Sequence, residues 1–210
     1  MLFGGASPAV LIGVAVALVV GITFHEFSHA FVADQLGDHR PRALGRVSLN
    51  PLRHLDPLGT IFFVIAGFGW GKPVPVNGYA LRPGRIGMTM VALAGPIANL
   101  LVAVVAAILF RGLDAAALLS PDLFRLAVYS TVFFNVALGL FNLLPVPPLD
   151  GYNVVLPLLP PRQAFVVQRY AQYGYLALLA LVILSRGAAG GPLTWLFTLA
   201  DLITGGLTGA

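Results

Sequence analysis

His25-Glu26-Phe27-Ser28-His29 places two imidazoles and a carboxylate within five residues. Residues four apart on a helix lie one above the other, so His25 and His29 can reach a single metal ion. Glu26 sits about a third of a turn from His25, where its carboxylate addresses a metal-bound water rather than the metal. The spacing therefore specifies a zinc-hydrolase centre with two ligands and a general base on one helix. In a soluble protein the same pattern arises by chance on exposed amphipathic helices. Here it ends a long apolar run. Each ionisable group at bilayer depth costs roughly 2.5–3.5 kcal/mol, so three of them in five positions point to function.

A catalytic zinc site needs a third protein ligand. The apolar run at 126–144, which carries Asn135 and Asn142, ends in Pro145-Val146-Pro147-Pro148-Leu149-Asp150-Gly151. These prolines end a helix and force irregular backbone, which is tolerated at membrane depth only inside protein or beside a cavity. Asp150 is delivered there and is the candidate third ligand; the alternative is a carboxylate capping the next segment. The chain has no cysteine, so any metal site uses nitrogen and oxygen donors. His39 and His54 have no partner at ligand spacing and read as loop histidines.

The elements that must position these residues are membrane segments. Of the 210 residues, 58% are hydrophobic and only 10% charged, with a mean hydropathy of +0.90, outside the range of soluble domains. The fold class is an all-α polytopic membrane protein of about four to six membrane segments. It forms a single membrane-embedded domain over 1–210, with a core at about 8–155 and C-terminal helices at about 164–206. Twelve Lys and Arg against eight Asp and Glu give a net charge of +4. In this class that balance reads as loop charge and not as nucleic-acid affinity. The start, MLFGGASP, lacks the positive region of a cleaved signal peptide.

Residues 9–33 make the first span. Residues 34–57 are polar and turn-rich, and Arg40, Arg42, Arg46 and Arg53 mark them as cytoplasmic. The apolar stretch at 58–70 is too short to cross and reads as re-entrant or interfacial. It leads into Gly71-Lys72-Pro73-Val74-Pro75-Val76-Asn77, where alternating proline forbids a helix and confines a strand to an edge. A plain proline-rich connector is the other reading. An uncharged run at 86–110 spans with tilt, and a further span covers 164–184 with Tyr170, Tyr173 and Tyr175 near its start. Whether residues 192–206 cross is open. With the 34–57 loop inside, nine Lys or Arg fall on the cytoplasmic side and three outside. His25, His29 and Asp150 then approach the same side.

HEFSHA in a membrane helix, Asn50-Pro51 with Asp56-Pro57-Leu58-Gly59, Trp70-Gly71-Lys72-Pro73-Val74-Pro75-Val76-Asn77, Gly95-Pro96-Ile97-Ala98-Asn99 and Asn142-Leu143-Leu144-Pro145 leading to Leu149-Asp150-Gly151 together resemble the site-2 protease family. These are intramembrane zinc metalloproteases of the M50 type. The resemblance covers about residues 8–155 and is to the minimal group, without the PDZ insertion or C-terminal nucleotide-sensing domain of other relatives. It implies one zinc ion held by His25, His29 and Asp150, with Glu26 as base. It further implies hydrolysis of peptide bonds within or beside transmembrane segments. The partners expected are the lipid bilayer and a transmembrane protein or peptide substrate, with no nucleic acid. Val74 and Val76 are expected to hold that substrate by strand addition, and Asn142 to bind substrate or the oxyanion. The competing class is a non-proteolytic transporter or metal-binding scaffold. A transporter would show paired broken helices in two repeated halves, and no duplication is evident.

Overall fold

A computed structural model of the chain describes residues 8–66, 69–82, 84–116, 122–186 and 191–209. The first seven residues, read above as no signal peptide, and part of the 58–70 run lie outside the described residues. Helix α1 (Pro8–Gln35) begins at a proline, whose missing N–H is no loss in a first turn, and continues through HEFSH. Its 28 residues span about 42 Å. A short α2 (Arg40–Ala43) follows, then a 3-10 turn at Pro51–Arg53 capped by the Asn50 side chain on Leu52 N. Helix α3 (Pro57–Ala66) is capped by Asp56, whose Oδ1 accepts from Gly59 N at 2.8 Å.

The chain returns from α3 in extended form and touches residue 55 through one antiparallel bridge, Leu55 to Gly71, with Lys72 N donating to His54 O at 2.7 Å. Among the described residues no strand forms, because Pro73 and Pro75 have no N–H to continue a ladder. Helix α4 (Arg85–Ala115) carries Pro96 in its interior, and α5 (Asp122–Asn142) follows. Helix α6 (Asp150–Val155) starts after the proline turn. The run expected as one span at 164–184 is α7 (Pro161–Tyr170), a 3-10 turn and α8 (Gly174–Arg186). Helix α9 (Thr194–Thr208) closes the chain.

Leu11–Gln35, Arg85–Ala115 and Pro161–Ser185 are long and apolar enough to cross a membrane. Many large apolar side chains on them, among them Ile12, Leu101, Ile108 and Ile183, are exposed, as a lipid-facing surface requires. The protein is an all-helical integral membrane protein. Its centre is the three-helix contact of α1, α4 and α5, onto which α9 packs. Ala103, Ala106 and Ala107 of α4 meet Val132, Val136 and Ala137 of α5 and Ala200 of α9. Small side chains let these backbones approach closely, since lipid offers no hydrophobic drive between helices. The uncertain stretch at 192–206 is thus a packed helix, with Leu196 and Ala200 wholly buried.

Candidate metal centre

Helical spacing on α1 places His25 and His29 on the face that looks toward α4 and α6. Their Nε2 atoms lie 3.0 Å apart. Asp150 Oδ2 lies 3.0 Å from His25 Nε2 and 3.2 Å from His29 Nε2. Asp150 reaches them because the proline turn ends α5 and re-aims the chain, making Asp150 the first residue of α6. Both histidines are buried, and Asp150 is mostly so.

The far side of each imidazole fixes its tautomer. His29 Nδ1 lies 2.7 Å from the carbonyl oxygen of Val91, which can only accept, so Nδ1 carries the proton. His25 Nδ1 lies 2.7 Å from Asn99 Oδ1. The Asn99 amide is oriented by its own donors, since Nδ2 faces Gly21 O at 3.0 Å and Asn135 Oδ1 at 3.1 Å. Flipping it would set oxygen against oxygen twice. His25 Nδ1 therefore also donates. In the neutral rings both Nε2 atoms are bare lone pairs, and they converge with a carboxylate oxygen that has no hydrogen-bond donor among the described residues.

Three electron-pair donors meeting in a buried site need a cation between them. Ligands about 2.05 Å from a tetrahedral zinc ion lie about 3.3 Å apart, close to the spacing here. The donor set therefore fits zinc, and among the described residues His25, His29 and Asp150 are the cluster able to hold a metal. Gly95 of α4 lets the helices close on it, because a Cβ there would stand 2.4 Å from His29 Nε2 and 2.6 Å from His25 Cε1.

Glu26 lies to the side of this cluster, beside the returning extended segment. A Cβ on Gly71 would stand 3.2 Å from Glu26 Oε1. Arg46 Nη2 lies 3.8 Å from Glu26 Oε2. Burial pushes the Arg46 guanidinium below its ordinary pKa, against the opposing pull of Glu26. Val74 and Val76 are half-buried in this segment, and within the described residues their backbone N–H groups make no hydrogen bond. Val76 packs on Ala33, Leu81 and Val91. Asn142 ends α5 and donates to Leu138 O at 3.0 Å, outside the cluster.

Neither loop histidine joins the metal cluster. His39 is exposed and faces Asp34 Oδ1 at 3.0 Å. His54 is wholly buried, donates from Nε2 to Ser48 O at 2.6 Å, and is held below its ordinary pKa chiefly by burial. In the sequence Asn99 stands out only as the end of the Gly95-Pro96-Ile97-Ala98-Asn99 motif, and Arg46 only as one of several loop charges. Asn99 is both interhelical glue and the partner of His25, and Arg46 reaches the glutamate of the motif. The Val91 carbonyl left no trace in the sequence, since every residue carries one.

Comparison with known proteins places the chain in a family. The sequence pattern of peptidase family M50 matches residues 120–185. A Bacillus subtilis protein named "Putative zinc metalloprotease YwhC" is 37% identical over 182 residues, covering 82% of this chain and 81% of that one. "Putative zinc metalloprotease Rip2" of Mycolicibacterium smegmatis is 34% identical over 188 residues, covering 84% and 70% respectively. The protein of the same name in Mycobacterium tuberculosis H37Rv is 32% identical over 209 residues, covering 94% and 77%. No solved structure matches.

Proposed function

The chain belongs to peptidase family M50, the site-2 proteases, as a zinc metalloprotease of membranes, and from that premise we propose that it hydrolyses peptide bonds within or next to transmembrane segments, with His25, His29 and Asp150 holding the zinc and Glu26 as general base. The observation that carries this reading is the meeting of two bare Nε2 atoms and one undonated carboxylate oxygen, with both Nδ1 protons committed elsewhere.

When bound, zinc supplies Lewis-acid chemistry, polarising a peptide carbonyl and making water more acidic. Asn99 and the Val91 carbonyl hold the two rings in the tautomer that presents Nε2 to the metal. Glu26 accepts a proton from the attacking water and passes it to the leaving amine. Its offset from His25 on the helix keeps it off the ligand cluster and free for that exchange. Arg46 Nη2 stands 3.8 Å from Glu26 Oε2 and helps fix the direction in which the carboxylate faces.

A peptide bond inside an intact helix has its carbonyl engaged with the amide four residues on. The substrate must therefore unwind locally. The free amides of Val74 and Val76 can then pair with the extended chain, and Asn142 adds a polar contact at the end of α5. The 9-to-3 division of Lys and Arg supports an active site facing the cytoplasm.

The test is zinc content and cleavage of single-span substrates in liposomes, measured on four variants. Glu26→Gln should keep its zinc and lose cleavage. His25→Ala, His29→Ala and Asp150→Ala should each lose zinc. A Glu26→Gln enzyme that cleaves normally, or an Asp150→Ala enzyme that keeps full metal and activity, refutes the assignment.

A further inference from the structure

The sequence Arg40-Pro41-Arg42-Ala43-Leu44-Gly45-Arg46 builds a device for aiming one arginine. Helix α2 ends at Ala43 with Leu44 as its C-cap, and the next residue, Gly45, has a φ of +68°, in the left-handed region that favours glycine. Gly45 N donates to Arg42 O at 2.9 Å, and Arg46 N donates to Pro41 O at 2.8 Å. Those two bonds are the Schellman pairing, which reverses the chain and sends the next side chain back along the helix end. The side chain so directed is Arg46, and it is only 6% exposed.

A buried guanidinium is costly unless its donors are used. Arg46 Nη1 donates to Pro73 O at 3.2 Å, and Nη2 donates to Lys72 O. The same Nη2 lies 3.8 Å from Glu26 Oε2. One planar fork thus ties the base on α1 to two successive carbonyls of the segment at 71–77. Gly71, immediately before them, lies close beside Ile22 and Glu26: a Cβ there would stand 2.9 Å from Ile22 Cγ2 and 3.2 Å from Glu26 Oε1. The far end of the segment is tied independently, because Asp38 Oδ2 accepts from Asn77 N at 2.7 Å. Between the two ties lie the unbonded amides of Val74 and Val76. The Lys72 and Pro73 carbonyls are engaged by Arg46, which leaves the Val74 and Val76 amides, with the carbonyls of residues 74–76, to pair with another chain.

We propose that Arg46 is a positioning residue for the reaction, holding Glu26 and the Lys72–Pro73 backbone in one fixed relation so that the base and the substrate-pairing segment act as a single unit. This rests on the reading of Glu26 as base and of 72–77 as the docking segment. Lysine cannot replace arginine here, since an ammonium is a point charge that cannot fork across two carbonyls while facing a carboxylate.

The experiment compares wild type, Arg46→Gln and Arg46→Lys as zinc-loaded enzymes in detergent. It reads zinc content, kcat and KM on a single-span substrate, and hydrogen exchange of the peptide covering 71–77. Zinc content should hold in both variants, because Arg46 touches none of the proposed ligands. Arg46→Gln should lower kcat by roughly 10- to 100-fold, the penalty of a misplaced catalytic group, and should speed exchange across 71–77. Arg46→Lys should regain part of kcat by restoring a cation beside Glu26, while KM stays raised and exchange stays fast. Wild-type kcat/KM or unchanged exchange in Arg46→Gln overturns the proposal. If Arg46→Gln fails to fold or loses zinc, Arg46→Lys decides alone, and a wild-type KM with wild-type exchange there overturns it. Failure of the base assignment is separate and shows as cleavage by Glu26→Gln, which leaves the exchange result intact.

Discussion

Replacing Asn99 with alanine removes three contacts: the acceptor for His25 Nδ1 at 2.7 Å and the donors to Gly21 O at 3.0 Å and Asn135 Oδ1 at 3.1 Å. The first contact concerns the metal. Without it His25 is free to rotate or to put its proton on Nε2, the atom that faces His29 and Asp150. Loss of such an outer partner weakens metal binding by about 10- to 100-fold, which is about 1.4–2.8 kcal/mol. The other two contacts concern stability. Polar contacts between membrane helices average about 0.6 kcal/mol each, so the pair contributes on the order of 1 kcal/mol. Asn135→Ala separates the two effects. It removes the bond to Asn99 but leaves the contact of Asn99 with His25, so it should destabilise the fold with little change in zinc affinity. The assay is zinc competition against a chelating dye on purified protein in detergent, with thermal unfolding of the zinc-free form alongside. Asn99→Ala should lose zinc affinity by the stated factor and recover cleavage when zinc is raised to saturation. Wild-type zinc affinity in Asn99→Ala would refute the positioning argument. So would an equal loss in Asn135→Ala, because the effect would then follow helix packing and not the tautomer.

Gly95→Ala should be worse than its single methyl suggests. The added Cβ would overlap the His25 and His29 rings, so α4 must retreat; overpacking of this kind costs about 1–3 kcal/mol, and zinc retention measured by metal analysis should fall with it. Asp38 is held near pKa 2, below the usual carboxylate range, chiefly by its hydrogen bonds to Arg40. A depressed carboxylate stabilises the fold fully above its unfolded pKa of 3.8, and the contribution is lost as pH falls through about 2. Thermal unfolding in detergent should show wild type above Asp38→Asn at pH 6, with the gap closing by pH 2; a gap that is the same at both values refutes the assignment. Proline at Val74 and Val76 should slow cleavage with normal zinc content, because it removes the two amides proposed to pair with substrate. Substrates whose Gly, Pro or Asn near the scissile bond are replaced by Leu should be cut more slowly, and an all-Leu span cut as fast as the original refutes the unwinding argument.

Much of this protein was legible along the chain because its strongest signals are local. Apolar runs announce membrane helices, and α1 and α4 lie where those runs place them. The spacing of His25 and His29 becomes a shared face through helix geometry alone. Proline announces where α5 must end and why 72–77 is extended. The grouping of Asp150 with the histidines could be suspected from the irregular backbone that carries it, but its distance to them depends on how α4, α5 and α6 pack. Tertiary structure alone decided the partners. Asn99 could have faced lipid, another helix or the site, and a fraction of a turn of helix rotation separates those outcomes. The Val91 carbonyl is invisible to any reading of residue types. Arg46 resembles the other arginines of its loop until Gly45 reverses the chain and buries it against Glu26 and the 72–73 carbonyls. Periodicity fixes which side chains share a face, whereas the rotation and depth at which faces meet are set by packing across the whole bundle. The proposed histidine ligands and base belong to the first kind of information; the placement of Asp150 and the groups that hold the histidines belong to the second.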